Sequence, residues 1–127
     1  MNILSKNKGL MLVLSSPSGA GKSSICNSLL KLDKNLFLSI STTTRKKRPN
    51  EISGKDYNFV TVTEFKKKLN KNNFLEHASV FDNFYGTDKS FVENKINQGK
   101  DLLFDIDWQG AQQLREKMRE DIVSVFI

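Results

Sequence analysis

The chain has 127 residues, 38% apolar and 27% charged, which suits one modest soluble domain with a real core. Its longest apolar runs, Leu10–Leu14 and Ile122–Ile127 (broken by Ser124), are too short to span a bilayer, and the first is too short for a secretion signal. A single cysteine, Cys26, excludes an internal disulfide and fits a reducing cytoplasm, while the net charge of +6 is concentrated in residues 31–71, which carry 11 Lys/Arg against 4 Asp/Glu and point to an anionic ligand or nucleic acid.

Leu10–Ser15 is predicted as a strand buried on both faces. Lys22 to about Lys34 follows as a helix, with Ile25, Leu29, Leu30 and Leu32 as its buried stripe. Leu36–Ser41 reads as a strand, Thr42–Asp56 as a polar, basic loop with Pro49 and Gly54, and Tyr57–Val60 as a short strand. Thr63 with Lys66 makes an incomplete helix start, and the helix is placed at Glu64–Lys71. Phe74–Val80 and Phe81–Gly86 form two further strands. Thr87 or Asp88 then caps a helix to about Gln98, ended by Gly99. Leu102–Ile106 lacks alternation and is buried, Asp107 caps a helix to Arg119, and Ile122–Ile127 is a last buried strand. Strands alternating with helices through short connections imply an α/β fold with a parallel sheet flanked by helices. The expected core is 8–41 with 88–127, interrupted by a small α+β lobe at 42–87.

Between the first strand and helix lies Ser16-Pro17-Ser18-Gly19-Ala20-Gly21-Lys22-Ser23, followed by Ser24. This is the Walker A pattern G-x-x-x-x-G-K-[ST] with Ser16 at the first glycine. Gly19 and Gly21 let backbone N–H groups turn toward a phosphate, and the helix start adds its positive end. Lys22 supplies a full charge to the transferring phosphoryl group, and Ser23 offers a hydroxyl to Mg²⁺. A phosphate-binding loop over Ser16–Ser24 is the expectation.

The middle lobe supplies an acceptor side. Arg45 and Arg48 stand three apart in a loop, and their planar forks suit a phosphate better than lysine would. Ser41 and Tyr57 add neutral hydroxyls. Glu76, after Phe74-Leu75, is a carboxylate in an apolar strand and needs a reason to be there. Asp105 ends a buried strand beside the phosphate loop, where it orders Mg²⁺ through water, contacts the acceptor, or both. His77 reads as a structural or surface residue, and Trp108 and Cys26 as packing.

The stretches SSPSGAGKSS, SISTTTRKKRPNE, GKDYNFV, FLEHASVFDNFYGT and LLFDIDWQGAQQ resemble the guanylate kinases from about Leu10 to Ile127. That resemblance implies a P-loop nucleoside-monophosphate kinase fold, transfer of the γ-phosphoryl of ATP to GMP, and Mg²⁺ with the ATP. It also implies that Ser41, Arg45, Arg48, Tyr57 and Tyr85 hold the GMP phosphate. Glu76 then reads guanine with help from Thr87, Asp105 contacts GMP, and Lys22 and Arg48 are the catalytic candidates. No nucleic acid or membrane partner is expected. The resemblance implies a lid beyond Ile127, so the chain is expected to be incomplete at its C-terminal end. Two rivals stand beside this reading. One is a non-catalytic, protein-binding relative, which the intact Lys22 and Ser23 disfavour. The other is a nucleic-acid module on the basic segment, for which Tyr57 and Phe59 supply few stacking aromatics.

Overall fold

A computed structural model describes residues 9–15, 22–117 and 122–126, the side chains of 22, 23 and 123–126 excepted. The elements in chain order are β1 (Met11–Ser15), α1 (Lys22–Leu32), β2 (Leu36–Leu38), β3 (Thr42–Thr43), β4 (Asn58–Phe59), α2 (Val62–Asn70), β5 (Phe74–Val80), β6 (Asn83–Asp88), α3 (Lys89–Asn97), β7 (Asp101–Asp105), α4 (Trp108–Lys117) and β8 (Ile122–Phe126). They divide into two compact units, Met1–Ser39 with Phe91–Ile127, and Ile40–Ser90.

The first unit carries a four-stranded parallel sheet in the order β2-β7-β1-β8. Its inner strands are continuous apolar runs because both faces are covered: Met11, Val13 and Leu14 on β1 and Leu102, Leu103 and Phe104 on β7 are all buried. β1 pairs with β7 from Met11↔Leu102 to Leu14↔Asp105, so the strand that leads to Ser16 and the strand that ends in Asp105 finish side by side. Helix α1 turns Cys26 into the core, with Leu29 and Leu30 packed beside it. This corrects the predicted stripe: the spacing 26, 29, 30 faces inward, and Ile25 and Leu32 are exposed. Asp107 does cap α4, its Oδ1 accepting from Gly110 N at 3.4 Å. Trp108, expected to pack, is 61% exposed at the first position of that helix.

The second unit is a mixed sheet in the order β4-β3-β6-β5. The predicted strand Leu36–Ser41 is not one element. β2 ends at Leu38 in the parallel sheet, and the chain resumes at Thr42 as β3 in this second sheet. Helix α2 begins earlier than predicted. Thr61 is the cap: its hydroxyl accepts from Glu64 N at 3.1 Å and Glu64 Oε1 accepts from Thr61 N at 2.8 Å, a complete capping box. Phe81 and Asp82 turn between β5 and β6 with φ of 50° and 66°, so β6 starts at Asn83 and takes in Thr87 and Asp88 as strand residues.

Candidate functional site

Alternation decides which side chains share a face in the second unit. On β6, Tyr85 and Thr87 point one way and Phe84 and Gly86 the other. β3 pairs antiparallel with β6 through Thr43↔Tyr85, and parallel with β4 through Thr43↔Phe59, so Ser41, Thr43, Tyr57, Phe59, Tyr85 and Thr87 lie on one face. The opposite face is an aromatic core: Phe65 of α2 lies 4.6 Å from Phe74 and 5.4 Å from Phe84, ring centre to ring centre. Gly86 is required there, because a Cβ would sit 2.8 Å from the Phe74 ring.

β5 joins this arrangement through a bulge. Phe74 opposes Asp88 and Glu76 opposes Thr87, so Leu75 is an extra residue in the ladder. In a regular strand Phe74 and Glu76 would share a face. The bulge sends Phe74 to the aromatic side and Glu76 to the side of Thr87 and Tyr85. Glu76 is 3% exposed and Thr87 fully buried. The Thr87 hydroxyl has no hydrogen-bond partner among the described residues. A buried carboxylate opposite a buried hydroxyl is an arrangement that suits a planar edge of N–H donors.

The other end of the face is cationic. Thr43 donates its hydroxyl to Phe84 O at 2.8 Å and accepts from Arg45 N at 3.1 Å, while Thr44 Oγ1 accepts from Phe84 N at 3.0 Å. These bonds fix the backbone where it leaves β3. The Arg45 guanidinium lies over Tyr57 at 5.1 Å and Phe59 at 5.8 Å, and Tyr57 meets Tyr85 edge-on at 6.0 Å. Its Nη1 and Nη2 donate to Glu51 Oε1 and Oε2 at 3.1 and 2.7 Å, and Nη1 also donates to Lys46 O at 3.1 Å. Arg48-Pro49-Asn50-Glu51 is a turn closed by Glu51 N donating to Arg48 O at 3.0 Å, and Arg48 N returns a bond to Glu51 Oε1 at 2.8 Å. The Arg45 guanidinium, with help from the Arg48 amide, holds the Glu51 carboxyl at about 2, below its ordinary 4.5. Arg48 itself is exposed, and its charge adds to that of Arg45 in favouring the ionised Glu51.

The structure therefore gathers Ser41, Arg45, Tyr57, Glu76, Tyr85 and Thr87 on one side of one sheet, with Arg48 in the adjoining turn. Asp105 belongs to the other unit, exposed at the end of β7. The expected phosphate loop from Ser16 to Gly21 lies outside the described residues, as do the side chains of Lys22 and Ser23. What is described is its frame, with β1 ending at Ser15, α1 beginning at Lys22 and Ser24 exposed on the first turn. His77 is exposed, as expected of a surface residue. Sequence reading passed over Glu51, although an acid three residues beyond Arg48 in an otherwise basic loop was the available signal.

No helix among the described residues is long and apolar enough to cross a membrane. Residues 8–127 match the family profile described as guanylate kinase. The chain is 58% identical over 124 residues to a guanylate kinase of Rickettsia bellii, covering 98% of this chain and 64% of that protein. It is 56% identical over 120 residues to one from Paramagnetospirillum magneticum, covering 94% of this chain and 56% of that protein. The crystal structure of guanylate kinase from Anaplasma phagocytophilum superposes with a TM-score of 0.81 at 43% identity, over 94% of this chain and 60% of that one. The chain thus spans less than two thirds of the length of these relatives. On the match over 8–127 and these identities, the chain belongs to the guanylate kinase family.

Proposed function

We propose that this chain carries the acceptor site and the phosphate-loop region of an ATP:GMP phosphotransferase, which forms ADP and GDP. The observation that carries this reading is the register that sets buried Glu76 opposite buried Thr87 at one end of a sheet face that bears Arg45 at its other end. The Glu76 carboxylate accepts from guanine N1–H and the exocyclic amino group, and Thr87 supplies a hydroxyl to the same base. Arg45, Arg48, Ser41, Tyr57 and Tyr85 hold the GMP phosphate. Charge-assisted forks from the arginines fix its position, and the neutral hydroxyls complete its oxygens. A GMP phosphate oxygen then attacks the γ-phosphorus of ATP, a P–O bond forms, and the bond to the β,γ-bridging oxygen breaks.

Ser16, Pro17, Ser18, Gly19, Ala20, Gly21, Lys22, Ser23 and Ser24 bind the ATP phosphates in this reading. Lys22 stabilises the charge on the transferring group, with Arg48 acting from the acceptor side. Mg²⁺ fits the donor set, because Ser23 and Asp105 offer oxygens and this ion takes few protein ligands beside the substrate phosphates. Bound, Mg²⁺ would neutralise phosphate charge. By the family resemblance Asp105 is a further GMP candidate. A lone buried Cys26 is in keeping with a cytoplasmic enzyme. The test is separation of nucleotides after incubating the chain with ATP and either GMP or AMP. GDP formation without matching use of AMP is expected, and equal use of both acceptors would overturn the assignment of guanine to Glu76.

A further inference from the structure

We infer that Glu51 is a positioning residue for the acceptor phosphate, acting through Arg45: it grips one edge of the guanidinium so that the other edge is presented to the ligand. This rests on the reading of Arg45 as a phosphate ligand. A guanidinium has five N–H donors in a fixed plane. Glu51 takes one from Nη1 and one from Nη2, the end-on edge, at 3.1 and 2.7 Å. Lys46 O takes the second Nη1 donor at 3.1 Å. The Nε–H and the remaining Nη2–H, which together form the side-on fork, have no partner among the described residues. The plane is fixed from its face by Tyr57 and Phe59 at 5.1 and 5.8 Å. An arginine held at one edge and one face retains a single fork for a tetrahedral anion.

Glu51 is suited to that task because it is itself held. The turn over Pro49 returns it beneath Arg48, whose backbone N–H donates to Oε1 at 2.8 Å. Lys47 Nζ donates to Glu51 O at 3.0 Å and to Arg48 O at 3.3 Å, tightening the same turn. Arg45 and Glu51 side chains are each only 14% exposed, so the pair is shielded on most sides. One carboxylate thereby ties the Arg45 side chain to the Arg48 backbone and sets the spacing of the two arginines. A phosphate arriving at the open fork finds its donors already oriented, which lowers the ordering cost of binding.

Calorimetric titration of GMP, with guanosine followed by NMR shifts, tests this in the wild type, Glu51→Gln, Arg45→Ala and the double variant. Glu51→Gln keeps the side-chain shape but turns an NH₂ toward the guanidinium. It should weaken GMP by about 10- to 100-fold, as loss of a supporting partner does elsewhere, while guanosine changes by less than about twofold. In the Arg45→Ala background Glu51→Gln should cost nothing further, because its effect is routed through Arg45. Additive losses would overturn the inference, and so would equal weakening of guanosine, which would mark Glu51 as a prop of the whole lobe. If Arg45→Ala weakens GMP and Glu51→Gln does not, the inference fails alone. If Arg45→Ala leaves GMP unchanged, the phosphate assignment fails and the inference falls with it.

Discussion

At Glu76 the desolvation of a buried carboxylate is set against what it can recognise. Adenine presents an acceptor at N1 and a donor at its 6-amino group, so a carboxylate placed to pair with two guanine donors would repel part of the adenine edge. Glu76→Gln replaces one acceptor by an NH₂ aimed at a guanine donor. The loss of a charge-assisted bond and the buried donor clash should cost about 2–4 kcal/mol, a roughly 30- to 700-fold weaker GMP complex. Affinities of both proteins for GMP and AMP check this, and an unchanged GMP-to-AMP ratio would move guanine recognition elsewhere. Thr87→Val asks a finer question. The hydroxyl is buried without a partner among the described residues, so the isosteric methyl should leave stability unchanged or raised. GMP affinity should nevertheless fall by about 1 kcal/mol, roughly fivefold, as the base loses one neutral hydrogen bond. A variant that is destabilised and binds GMP normally would show that the hydroxyl serves the fold.

The basic turn between β3 and β4 behaves as an element with its own pH dependence. Glu51 sits at about 2 in the folded chain against 4.5 ordinarily. A carboxyl depressed on folding contributes its stability in full above its ordinary value and loses it as pH falls through the folded value. The thermal midpoint of the wild type should therefore exceed that of Glu51→Gln by a constant margin above about pH 4.5, and the margin should close toward pH 2. A margin that widened with acid would contradict the ion pair. The elements were legible where local chemistry is complete. Unbroken apolar runs at β1 and β7 gave buried parallel strands, and Asp107 gave a helix cap. They were illegible where tertiary pairing intervenes. Leu36–Ser41 reads as one strand, yet the two sheets claim its two ends, because pairing partners and not the residues' own preferences decide where it breaks. The Leu75 bulge is likewise invisible to period-two reading, which would bury Glu76 among the phenylalanines. Thr61 was passed over for Thr63, although Glu64 three residues after Thr61 completes the capping box.

Across the whole molecule, the composition already separated a basic stretch at 31–71 from a nearly neutral remainder, and much of that stretch lies in the unit Ile40–Ser90. The division has a functional consequence. Of the residues assigned to GMP, all but Asp105 lie in that unit, whereas Lys22 and the frame of the phosphate loop lie in the other. Binding and transfer should then be separable by mutation. Lys22→Ala should lower phosphoryl transfer by about 10²–10³-fold or more, as removal of one charge-stabilising donor does, and leave the GMP Kd within about twofold. Amide hydrogen exchange locates the same division without any turnover. At GMP about 100-fold above its Kd, amides that open together with the binding face gain about 2.7 kcal/mol of protection. That gain should fall on β3, β5 and β6, whose hydrogen bonds hold Thr43, Glu76, Tyr85 and Thr87 in place, while β1 and β2 change little. Lys22→Ala should reproduce the pattern unchanged. Should GMP instead protect β1 as strongly as β6, or should Lys22→Ala abolish GMP protection, the acceptor site would have to be reassigned to the unit that carries the phosphate loop.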